Sequence, residues 1–154
     1  MIKYSHVSLK IICEIAEDAD AVTSHLGVQP SRVVKSTSHS WSKKEGHAEH
    51  LSHTWMLDSP KSHDEADTPE RLWELANLIE PFADKLRTLQ TPRRPWVDII
   101  YENTPQYPHG VKGEFHLLRL PTDLMRRYCA MDLMITYEVF WFDHPDWVRP
   151  TPHG

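Results

Sequence analysis

Histidine is the residue type with the clearest capacity for chemistry in this 154-residue sequence. Five of its eleven histidines, His39, His47, His50, His53 and His63, fall within one stretch of 25 residues. His47, His50 and His53 recur every third residue. On a helix, neighbours at that spacing would share a face, and neutral imidazoles could ligate zinc. The surrounding residues read instead as a loop running into a strand, where His50 and His53 point to opposite faces. No His-Glu-x-x-His sequence and no paired-cysteine motif accompanies them. A solvated polar loop is therefore the expected state, with zinc at His47, His50 and His53 as the alternative and no other cofactor.

A second constellation is Asp98, Glu102, Glu114 and His116, on consecutive segments that read as strands. Adjacent carboxylates can split their pKa values and share acid–base work. Alternation puts Asp98 and Glu102 opposite Val97, Ile99 and Tyr101, which predicts a wet sheet face instead. Cys13 and Cys129 are too few for a disulfide framework and are expected as buried, reduced thiols. Arg126 and Arg127 could lower the pKa of Cys129, but a position late in a helix opposes that. There is no Gly-x-Ser-x-Gly elbow, and the five glycines form no phosphate-cradling loop. No catalytic residue is assigned on these grounds. Phe140 and Phe142, on the face opposite Tyr137, Val139 and Trp141, leave apolar groups on both sides of the last strand. With Trp147 they are either covered by the tail or available to a partner or a second copy.

The elements that must position these residues follow from periodicity. Val7, Leu9 and Ile11 alternate with Ser8, Lys10 and Ile12, a strand half-buried in the core. Asp18 or Asp20 can cap a short helix through Leu26, with Gly27 ending it and Pro30 blocking its continuation. Val33-Val34 begins the next strand. Residues 37–49 are polar and contain Lys43-Lys44-Glu45-Gly46, an expected exposed hairpin loop. Leu51, His53, Trp55 and Leu57 form the strand after it, followed by a charged linker over 59–67. Thr68-Pro69-Glu70 opens the main helix. Its stripe of Leu72, Leu75, Ala76, Ile79, Phe82, Ala83 and Leu86 keeps three-four spacing, and Pro81 should kink or split it. Strands are expected around Val97–Tyr101, Phe115–Arg119 and Leu133–Trp141, with a short helix from Thr122 or Asp123 before the last.

The order is βαββ-α-ββαβ, the elements of a ferredoxin-like, two-layer α+β sandwich with helices on one face of a largely antiparallel sheet. A single domain spans 1–154, with its core over about 5–142 and a flexible tail over 143–154. The net charge of −5 and the lack of a basic stripe argue against a nucleic-acid partner, and none is expected. No stretch approaches the roughly 18 apolar residues of a membrane span, and a cytoplasmic location is expected.

Leu26-Gly27-Val28-Gln29-Pro30-Ser31 and Trp55-Met56-Leu57-Asp58-Ser59-Pro60, with the Pro81-interrupted helix and the closing Leu124–Tyr137 unit, resemble a bacterial family described as domain of unknown function 4279. The resemblance covers roughly residues 5–142; the insertion over 36–50 and the tail after Phe142 depart from it. It implies a scaffold, and no catalytic residues can be carried over from it. The expected function is a non-enzymatic protein-binding domain with a protein partner, which could be basic, or self-association. An immunity or regulatory role follows by analogy alone. The alternative is a metal-binding protein or small hydrolase-type enzyme using the segment 39–63.

Overall fold

Odd-numbered residues of the first strand set the inner side of the sheet. In the computed structural model, β1 (Ile2–Cys13) buries Val7, Leu9, Ile11 and Cys13 on that side. The structure describes residues 2–42, 46–60, 68–91, 93–104 and 119–141, without the side chains of 2–5, 16, 36–42, 46–51, 101–104 and 138–141. Helix α1 (Ala16–Leu26) follows, then β2 (Arg32–Ser42) and β3 (Gly46–Asp58). Helix α2 (Thr68–Ile79), a 3₁₀ turn over Glu80–Phe82 and α3 (Ala83–Thr88) form the broken central helix. Strand β4 (Trp96–Thr104), helix α4 (Thr122–Ala130) and β5 (Met134–Trp141) complete the described chain.

The sheet runs β2-β3-β1-β4-β5. Every neighbouring pair is antiparallel except β4 and β5, which α4 joins by a crossover. The fold is α+β with a mostly antiparallel, open sheet. The full nine-element order expected from the sequence includes a strand over 115–119, and residues 115–118 lie outside the described residues. Trp55 faces Ile11, and both Leu57 and Val97 face Leu9 across the ladder, so one sheet face is continuously apolar. It packs against Ala19, Val22 and Leu26 of α1, the central-helix stripe, and Leu124 and Tyr128 of α4 in one core. Each large side chain buried there contributes roughly 1.5–3 kcal/mol.

Three polar ties fix the helices on this core. Trp55 donates its Nε1–H to Thr23 Oγ1 at 3.0 Å. The Tyr128 hydroxyl donates to the Leu72 carbonyl at 2.6 Å. Arg127 stacks over Trp73 at 5.2 Å and bonds Glu80 and Asn77, each at 2.6 Å.

Several expectations need correction. Helix α1 starts two residues before Asp18, with Ile15 at the cap position; Asp18 reaches back to the Ile15 N–H at 3.4 Å. The polar stretch 37–49 is mostly strand, because β2 and β3 pair from Arg32↔Met56 to Ser42↔Gly46. Backbone pairing does not require apolar side chains, so a polar segment can extend a hairpin. Cys129 is exposed, not buried. The buried phase of α4 passes through Leu124 and Tyr128 and leaves Cys129 off it.

Candidate functional site

The face of the sheet away from the helices carries even-numbered residues of β1, and its centre is polar. Ser8 stands opposite Asp58 on one side and Asp98 on the other. Ser8 and Asp98 are each only 2% exposed. Lys10 Nζ lies 2.5 Å from Asp98 Oδ2, and Thr136 donates its hydroxyl to Oδ1 at 2.7 Å. Ser8 donates to Asp58 Oδ1 at 2.5 Å, and Arg32 Nε lies 3.3 Å from Oδ2. One strip therefore crosses all five strands, with Arg32, Asp58, Ser8, Lys10, Asp98 and Thr136 in linked pairs.

This strip corrects the wet-face expectation for Asp98, which is buried and paired. Both Asp98 oxygens accept from fixed donors, Lys10 and Thr136, so the carboxylate ties β1, β4 and β5 together. Glu102 stands opposite Tyr4 in the β1–β4 register, and its side chain is not among those described. Glu114 and His116 lie outside the described residues.

A cleft of about 710 Å³ opens where β1 runs into α1 and meets the chain after α3. Its walls include Cys13, Glu14, Asp18, His25, Gln90 and Thr91. His25 Nε2 lies 2.9 Å from the Lys85 carbonyl and 3.0 Å from Thr88 Oγ1. A carbonyl only accepts, so Nε2 carries the proton and the ring ties α1 to the end of α3. Burial pushes the Cys13 thiol up, and the Asp18 carboxylate adds to it, while the Trp55 backbone N–H opposes. The raised pKa favours the neutral thiol over the nucleophilic thiolate. Glu14 and Asp18 bring two carboxylates to the walls of the cleft, beside the apolar Ile12, Val22 and Leu89.

The sequence candidates are not gathered into this cleft. His53 faces Cys13 across β1 and β3, and its buried Nδ1 has no hydrogen-bond partner among the described residues. His47, His50 and His53 all lie on β3. The side chains of His39, His47 and His50 are not among those described, and His63 lies outside the described residues. Among the described residues, no three His, Cys, Asp or Glu side chains are grouped to hold a metal ion. Arg126 pairs with Asp123 at 3.7 Å and Arg127 turns to Glu80, so neither is committed to Cys129. Phe140 sits on β5 in register with Glu102, while Phe142 and Trp147 lie outside the described residues.

The family described as "Domain of unknown function (DUF4279)" matches residues 2–134. The chain belongs to this family. No curated protein and no solved structure matches it. The family's span takes in the whole strip up to the register of Met134 and every wall of the cleft, while Thr136 and Phe140 fall beyond it. Sequence reasoning missed both features. The strip left one signal: Lys10 and Asp98 are opposite charges flanked by apolar residues in their strands. The cleft left none, because its walls come from three separate segments.

Proposed function

We propose that this chain is a binding module without catalytic turnover, and that the α1–α3 cleft receives a cationic segment of a protein partner. The observation that carries the reading is the cleft itself: about 710 Å³, walled by the carboxylates of Glu14 and Asp18 and by the apolar Ile12, Val22 and Leu89. That volume lies within the range of pockets that bury most of a ligand's surface. Lysine or arginine stems would cover the apolar part while their charges meet Glu14 and Asp18. The net charge of −5 supports a basic partner by steering it at long range.

The ionisable groups support binding over chemistry. Asp98 and Asp58 are engaged in fixed pairs, and Cys13 is held as a thiol. Two free cysteines suit a reducing compartment, and we place the chain in the cytoplasm on that ground. Among the described residues, no helix is long and apolar enough to cross a membrane.

The test compares proteins captured from the source cell by the wild-type chain and by a Glu14→Lys/Asp18→Lys variant. A partner should bind the wild type, weaken with added salt, and be lost from the variant. Identical capture by both chains would remove the cleft from the reading.

A further inference from the structure

The outer edge of β2 is the longest stretch of strand with no neighbour among the described residues. β2 has β3 on one side only, and it stands at the end of the sheet order. Its 11 residues run Arg32-Val33-Val34-Lys35-Ser36-Thr37-Ser38-His39-Ser40-Trp41-Ser42. At about 3.3 Å per residue that is an edge of roughly 35 Å. Edge strands are normally blunted by proline, by a bulge, by shortness or by a central charge. This one has no proline or glycine, and its two formal charges, Arg32 and Lys35, sit toward one end. The centre is a run of hydroxyl residues and histidine. Val33 is 44% exposed although it is β-branched and apolar.

We propose that β2 pairs antiparallel with β2 of a second copy of this chain, about a two-fold axis through Thr37. The choice of a second copy rests on self-complementarity. A two-fold axis normal to the sheet keeps each residue on its own face, so even residues must oppose even and odd oppose odd. Centring on Thr37 is the register that uses all 11 residues of β2. It sets Val33 opposite Trp41 of the other copy, Ser36 opposite Ser38, and Thr37 opposite itself. Aromatic with β-branched, and hydroxyl with hydroxyl, are the pairs that stabilise a ladder. Arg32 then faces Ser42 and Lys35 faces His39, so the basic residues of the two copies stay apart. Moving the axis to Ser36 leaves Trp41 unopposed, and moving it to Ser38 puts Lys35 against Trp41. Pairing at Thr37 would add about ten backbone hydrogen bonds, two for every second residue pair. The two sheets become one, and the β2 edge of each copy is covered. This inference is independent of what the cleft binds.

Sedimentation equilibrium of the full chain tests it, with a dimer of twice 18.0 kDa expected. Thr37→Lys and Thr37→Glu each place like charges on the axis, and each should weaken the dimer about five-fold. An equimolar mixture of the two variants should restore it, which a folding defect in either variant would not do. In a Cys129→Ser background, Thr37→Cys should cross-link to itself under mild oxidation, while Ser42→Cys should not. A monomeric wild-type chain would overturn the proposal. So would a dimer indifferent to charge at residue 37, or one in which Thr37→Cys fails to cross-link.

Discussion

Lys10 and Asp98 are joined at 2.5 Å across β1 and β4, on the side of the sheet that no described helix covers. Asp98 is 2% exposed and Lys10 is 15% exposed at the side chain. Such a pair is costly to desolvate and costly to break, because either charge left alone keeps its desolvation penalty.

Asp98→Ala should therefore destabilise the fold by about 3 kcal/mol, at the low end for a broken buried pair because Lys10 keeps some solvent. Lys10→Met/Asp98→Leu should cost far less than Asp98→Ala alone. Urea unfolding of the three chains measures both. A double variant as unstable as the single would show that packing, not charge, dominates at this position.

Cys13 and Cys129 should differ sharply toward a thiol reagent. The exposed Cys129 should be modified in the native chain, and Cys13 only on unfolding. Alkaline pH should also expose the burial of Cys13. Its folded pKa is raised above the ordinary 9.0, so above that pH the unfolded chain releases the proton first. Stability should then fall as pH rises from about 9, and Tyr128, also raised by burial, should extend the fall above 10. Cys13→Ala should flatten the first part of that decline, and Tyr128→Phe the second. Stability constant between pH 8 and 11 would contradict these shifts.

Gly27 ends α1 at φ 72°, with its N–H on the Thr23 carbonyl at 2.8 Å. A Cβ there would meet only Lys85 Nζ, at an ordinary 3.8 Å. The cost of Gly27→Ala is thus conformational, about 1–2 kcal/mol, with no steric share. Thermal unfolding should show that loss, and Gly27→Asn should recover part of it because asparagine tolerates the left-handed region.

Much of the fold was legible because burial imposes a period. The odd residues of β1, the stripe from Leu72 to Leu86, and Trp55 with Leu57 are all buried as their spacing requires. Pro81 splits the central helix at the expected place, since it lacks a donor and crowds the preceding turn. Two of the differences share a cause, because pairing between distant segments overrides local composition. Residues 37–49 look like a loop by polarity, yet β2 and β3 hold each other through the backbone. Asp98 looks wet by alternation, yet Lys10, 88 residues away, meets it. The cleft is the least legible feature, because Glu14, His25 and Gln90 converge only through tertiary packing. No local spacing records that.

The reading of the cleft is tested most directly by zero-length carbodiimide cross-linking of the captured complex, with the joined residues mapped by mass spectrometry. A lysine of the partner should be joined to Glu14 or Asp18. Cross-links confined to carboxylates away from the cleft, such as Glu70 or Asp123, would contradict it.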